Sequence, residues 1–136
     1  MLTVTKQFKF EAAHHLPHYD GACNHLHGHS YKLEVTVTGS VSKDEHDPKC
    51  GMIIDFKDLK KIVEEVVISK YDHGYLNDFF SNPTAEIMVT KIALDINGAL
   101  PKNVFVISCK LWETDTSYAE YKPEYDSAGH YLKSAT

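Results

Sequence analysis

The sequence predicts an α+β domain in which a four-stranded antiparallel sheet carries two helices on one face, in the order ββααββ. Apolar and polar residues alternate in two segments at the front of the chain and two at the back, and apolar residues recur at helical spacing in two segments between them. Turn formers mark the joins, at Pro17, Asp20-Gly21, Asp47-Pro48 and Asp115-Thr116. At 136 residues there is room for one domain with a modest core, and no internal repeat or low-complexity block divides it.

The first strand covers residues 3 to 14. Val4, Phe8, Phe10, Ala12 and His14 share one face, and Thr3, Thr5, Gln7, Lys9 and Glu11 share the other. A loop from Leu16 to Leu26 leads to a second strand from His27 to about Ser40, on which His27, His29, Tyr31, Leu33, Val35 and Val37 alternate with Ser30, Lys32, Glu34, Thr36 and Thr38. After the charged loop of residues 43 to 51, Asp55 is placed to cap a helix with Phe56, Leu59, Ile62, Val63, Val66 and Val67 at helical spacing. The connection from Tyr71 to Pro83 is rich in turn formers. A second helix starts at Asn82-Pro83-Thr84, with asparagine as cap and proline in the first turn, and buries Met88, Val89, Ile92 and Ile96. The third strand, Val104 to Thr114, places Phe105, Ile107, Cys109, Leu111 and Glu113 on one face, and the fourth runs from Ser117 to about Lys122. The domain is thus expected over residues 1 to 122, with residues 123 to 136 a polar tail, disordered or packed on a neighbouring subunit.

Chemistry concentrates early in the chain. Six of the nine histidines fall between His14 and His29. His27 and His29 are two residues apart on a strand, so their rings leave the same face roughly 6.5 to 7 Å apart along the backbone, which suits two imidazoles converging on one ion. A catalytic zinc ion usually takes three protein ligands and keeps a fourth position open, and His14, ending an apolar face, is the candidate third. Cys23 lies close enough to reach the same cavity. A polar loop without function and a closed site with Cys23 as fourth ligand are the alternatives, and the open three-histidine site is favoured over both. Of the remaining histidines, His15 is the spare, and His18 and His25 read as solvated or supporting groups. Asp72-His73 is a surface pair or, beside a thiol and a metal, a proton relay. Glu113 lies at the sheet edge in water or grips a ligand's N–H donors.

A formal charge of −5 and a pI near 5.9 exclude a nucleic-acid surface, which needs a basic patch. All fourteen basic residues are lysines, so a substrate phosphate would be met without guanidinium clamps. No segment reads as a signal peptide or a membrane span, which points to a cytoplasmic protein. Cys23, Cys50 and Cys109 fit no disulfide framework and are expected as free thiols.

FEAAH at 10 to 14, CxxxHGH at 23 to 29, GMIIDF at 51 to 56, DHxxLN at 72 to 77, NPTAE at 82 to 86 and Glu113 together resemble the 6-pyruvoyl-tetrahydropterin synthase superfamily. The spacing of cysteine to HGH is most similar to its bacterial 6-carboxytetrahydropterin synthase branch, of queuosine biosynthesis. The resemblance implies the tunnelling fold, with trimeric barrels stacked into a homohexamer and active sites between subunits. It implies zinc held by His14, His27 and His29, Cys23 as general base, Asp72 and His73 assisting proton transfer, and Glu113 anchoring the pterin. The substrate would be 7,8-dihydroneopterin triphosphate, and the bacterial branch yields 6-carboxytetrahydropterin, acetaldehyde and triphosphate. His15 stands where many bacterial relatives carry arginine, and Lys70-Tyr71 replaces the usual leucine before the DH pair.

Overall fold

The computed structural model describes residues 1–132; the last four residues of the expected tail lie outside the described residues. Strand β1 (Val4–His14) pairs antiparallel with β2 (His27–Gly39), and β2 pairs antiparallel with β4 (Val104–Thr114), which pairs with β5 (Ser117–Tyr121). A fifth strand joins this sheet. β3 (Gly74–Tyr75) lies parallel to Ala12–Ala13 on the outer edge of β1, so the order is β3-β1-β2-β4-β5 and the sheet is mixed, where four antiparallel strands were expected. Two residues of parallel pairing carry no readable period, and the segment was legible only as a connection.

Two helical rods cover one face. The first runs as α1 (Phe56–Val63), a π turn (Glu64–Ile68) and α2 (Ser69–Tyr71). Asp55 caps it as predicted, its side chain accepting from the Lys57 N–H at 2.8 Å. Leu59, Val63, Val67 and Tyr71 are fully buried, each four residues after the last. A straight α-helix would rotate such a series by about 40° per step, and the wider π turn takes up that drift. Phe56 is half exposed and does not join the core as its spacing suggested. The second rod, α3 (Ala85–Ala99), buries Met88, Val89, Ile92 and Ile96 as predicted. Its cap is Thr84, which accepts from the Ile87 N–H at 3.2 Å, and not Asn82. Threonine there has an extended backbone and leaves Pro83 just outside the helix.

The core lies between the rods and the apolar sheet face, with the Phe10 and Tyr31 rings stacked at 5.0 Å. In β4 the predicted alternation breaks. Thr36 pairs with Ser108 and Val37 with Val106, so Ile107 is bulged out of register. Val104 and Val106 face the core in place of Phe105 and Ile107, while Cys109, Leu111 and Glu113 keep the predicted side. Burial pushes the Cys109 thiol up to about 12, which makes it an inert core group. Beyond Lys122 the chain folds back on itself. β6 (Glu124–Tyr125) pairs with β7 (Tyr131–Leu132), and the Tyr125 hydroxyl donates to the Val106 carbonyl at 2.7 Å, so through residue 132 the tail packs on its own domain.

Candidate metal centre

His14 is the last residue of β1 and His27 the first of β2, and they form the terminal cross-strand pair of the ladder. His29 stands two residues further along β2 on the same face. One imidazole nitrogen of each of these three residues and a carboxylate oxygen of Glu113 all lie within 4.8 Å of one another. His14 is fully buried; the other three are half-buried, so one side of the cluster is open.

The tautomers can be argued from the partners. His14 Nδ1 lies 2.9 Å from the Pro83 carbonyl, and His27 Nδ1 lies 2.7 Å from the His25 carbonyl. A carbonyl only accepts, so both Nδ1 atoms carry the proton and both Nε2 atoms present lone pairs. These two Nε2 atoms are 3.1 Å apart. Lone pairs at that distance repel unless a cation sits between them. Two nitrogens on a tetrahedral zinc ion stand about 3.3 Å apart, given Zn–N near 2.05 Å. His29 Nε2 adds an orphan: it is buried and satisfies no hydrogen-bond geometry, although Glu113 Oε1 is 2.9 Å away. The short contact lies off the ring's bonding direction, as expected of a nitrogen aimed at a third point. The donor set therefore fits a divalent metal, with carbonyl partners fixing two of the three rings. Burial lowers the pKa of His14 and of His29, which keeps their rings neutral, the form that ligates.

Glu113 reaches the cluster through a second irregularity. Trp112 pairs with Tyr118 and Thr114 with Ser117, leaving Glu113 between rungs with its carboxylate turned toward the histidines. It also lines a cleft of about 410 Å³ with Ala85, Glu86, Ser117, Tyr118 and Ala119, at the start of α3. A carboxylate on the open side of a metal cluster and at the wall of a cleft can serve as a ligand or as an acceptor for a bound molecule's N–H groups.

The remaining predicted residues lie apart from this cluster. Cys23 sits half-buried in a 3-10 turn (Ala22–Asn24), with its carbonyl accepting from the Leu16 N–H at 3.0 Å. Among the described residues, the group of metal-ligating type contains no cysteine. Asp72 is fixed at the outer edge of β1. Its Oδ1 accepts from the Glu11 N–H at 3.0 Å, and its Oδ2 lies 3.0 Å from His73 Nδ1. The Glu11 N–H, followed by His73, holds the Asp72 carboxyl below its ordinary range. His73 adopts φ 59 and donates its own N–H to the Glu11 carbonyl. A left-handed backbone at a non-glycine residue is costly and clusters at functional sites. Its ring is exposed and borders a cleft of about 380 Å³ that His29, Gly28, Glu11 and Ser30 also line. His15 turns away to Tyr75, whose hydroxyl is 2.8 Å from its Nδ1. The Pro83 and His25 carbonyls, which orient two rings, left no sequence signal, because a main-chain acceptor has no residue preference.

The helix-backed sheet is of the tunnelling-fold class, with the open histidine cluster at one end of it. The chain belongs to the 6-pyruvoyl tetrahydropterin synthase family, whose model matches residues 3–124. It is 34% identical to the 6-carboxy-5,6,7,8-tetrahydropterin synthase of Haemophilus influenzae over 90% of this chain and 99% of that one. To the Synechocystis protein of the same name it is 37% identical, over 89% and 93%. A shorter match, 40% identical over 65% of this chain and 70% of the relative, is to the dihydroneopterin monophosphate aldolase of Pyrococcus furiosus. Among solved structures, 6-pyruvoyl tetrahydropterin synthase of Caenorhabditis elegans superposes with a TM-score of 0.75 at 27% identity, covering 90% of this chain and 96% of that one.

Proposed function

We propose that this protein is a zinc-dependent 6-carboxy-5,6,7,8-tetrahydropterin synthase, a carbon-carbon lyase of queuosine biosynthesis that converts 7,8-dihydroneopterin triphosphate and one water to 6-carboxytetrahydropterin, acetaldehyde and triphosphate. The observation that carries it is the open three-histidine cluster in a chain whose near-full-length relatives bear that name. His14, His27 and His29 hold the metal. When bound there, zinc supplies a Lewis acid that stabilises negative charge on side-chain oxygens of the substrate.

Every other task falls to the chain. Glu113 accepts two N–H bonds from the amino-pyrimidinone edge of the pterin, at the wall of the cleft that starts α3. Cys23 takes the proton from the carbon next to the oxygen-bearing one. Asp72 orients His73, which moves that proton onward. One chain does not gather Cys23 with Asp72 and His73 into a cluster, which supports an active site completed by a neighbouring subunit. Among the described residues the outer edge of β5 pairs with no strand, an open edge of the kind that pairs with another chain, in keeping with a homohexamer of two stacked trimeric barrels. No helix among the described residues is long and apolar enough to cross a membrane. We place the enzyme in the cytoplasm.

The test is incubation of the zinc-loaded protein with 7,8-dihydroneopterin triphosphate, mass analysis of the pterin and an assay for acetaldehyde. Loss of two side-chain carbons with acetaldehyde released is expected. A pterin that keeps its three side-chain carbons after triphosphate loss would instead identify 6-pyruvoyl-tetrahydropterin synthase. No turnover with tight pterin or zinc binding would identify a non-catalytic module.

A further inference from the structure

We propose that Asn77 is a positioning residue for the metal centre: its side-chain amide stands in for a missing strand rung beside His15, and so fixes both the end of β1 that carries His14 and the start of the turn that carries Cys23. The inference rests on the histidine metal site described above. β3 offers β1 only two residues of parallel pairing, Gly74 opposite Ala12 and Tyr75 opposite Ala13. The chain then enters a 3-10 turn (Leu76–Asp78), whose backbone makes no further ladder pair with β1. At that point the Asn77 amide takes over. Its Oδ1 accepts from the His15 N–H at 3.0 Å and its Nδ2 donates to the His15 carbonyl at 3.0 Å, as an opposing peptide group would. Leu76, fully buried, anchors the turn that presents this amide.

The clamp acts in two directions. Toward the N-terminus it holds the residue next to His14, beyond the last β1–β2 rung at His14 and His27. Toward the C-terminus it orders His15 so that the Leu16 N–H meets the Cys23 carbonyl at 3.0 Å, the contact that closes the turn. Tyr75 braces the same residue from the side, its ring stacked on that of His15 at 15° between planes. With Asp72 and His73 bonded to the backbone of Glu11, residues 72 to 77 run as a template along the outer edge of β1. A strand end freed of that template would let His14 move off the point where the three Nε2 atoms converge. Partners bonded directly to a ligating ring change metal affinity by about 10- to 100-fold, and a contact made through the neighbouring residue is expected at the lower end of that range.

The experiment uses the full chain, wild type and Asn77→Ala, with zinc affinity measured against a chromogenic chelator, the visible spectrum of the cobalt(II) form, and the rate of Cys23 alkylation by iodoacetamide mapped by mass. We expect Asn77→Ala to keep its circular dichroism, to bind zinc at least about tenfold more weakly, to show an altered cobalt spectrum and to alkylate faster at Cys23. Affinity and alkylation both within twofold of wild type would overturn the proposal while leaving the metal site standing. Absence of zinc binding by the wild type would overturn the metal site itself. Should Asn77→Ala fail to fold, Asn77→Asp carries the same comparison, because it keeps the acceptor for the His15 N–H and loses the donor to the His15 carbonyl.

Discussion

Replacing His14 by alanine should separate two roles that its position combines. His14 is wholly buried, its Nδ1–H donates to the buried Pro83 carbonyl, and Tyr31 Oη lies 3.3 Å from the same nitrogen. Removing the ring leaves that carbonyl unpaired, at a cost of about 1 to 3 kcal/mol. A cavity term of about 24 cal/mol per Å³ of space that does not collapse adds to it. Metal-free His14→Ala should therefore be about 2 to 4 kcal/mol less stable than metal-free wild type. With a urea slope of roughly 2 kcal/mol per molar, the unfolding midpoint falls by about 1 to 2 M. His27→Ala makes the contrast. His27 is only half-buried and bonds to the carbonyl of an exposed loop residue, so its loss should cost at most about 1 kcal/mol without metal. Both variants should lose most bound zinc. Wild type in free zinc at 100 times its dissociation constant should gain about 2.7 kcal/mol, and neither variant should show that gain at the same concentration. Equal destabilisation of the two metal-free variants, or full zinc occupancy in either, would refute the reasoning.

Cys23→Ala should keep its zinc and its fold while losing turnover, as metal analysis and the acetaldehyde assay will show; a large loss of zinc would make the thiol a ligand. Glu113→Gln should retain zinc and weaken pterin binding by about 1 to 3 kcal/mol, because one acceptor becomes a donor facing a donor; unchanged pterin titration would remove Glu113 from the binding site. The metal-free protein should lose stability in mild acid. Burial holds the His14 and His29 pKa values below the ordinary imidazole value, so the unfolded chain takes up protons first. Their contribution is complete above about pH 6.5 and is lost as pH falls below it, by at most about 1.4 kcal/mol per pH unit per group. Urea midpoints that stay level or rise between about pH 7 and pH 5 would contradict this.

Where the sequence carried a period, it was legible. The alternation of β1 and β2 puts His14, His27 and His29 on the core face, and the structure brings all three rings together there. Where structure depends on a break in period, it was not. The bulge at Ile107 turns Val104 and Val106 inward against the simple alternation, because register is set by the partner strand and not by β4 alone. Glu113 was singled out for ending an apolar face, but its turn toward the histidines depends on the second irregularity, opposite Tyr118 and Ser117. In the sequence Asn77 reads only as the end of the DHxxLN motif, and its positioning contact left no signal, since its partner is the backbone of a residue 62 positions away. The two-residue β3 and the hairpin of β6 and β7 are likewise tertiary in origin, too short to show any pattern of their own.

Zinc-edge X-ray absorption of the loaded protein reads the ligands of an open three-histidine zinc site without reference to activity. The expected spectrum shows nitrogen and oxygen neighbours only, with three imidazoles at about 2.0 to 2.1 Å and no sulfur. A sulfur scatterer at about 2.3 Å would contradict it, since it would put Cys23 on the metal and close the position the chemistry needs.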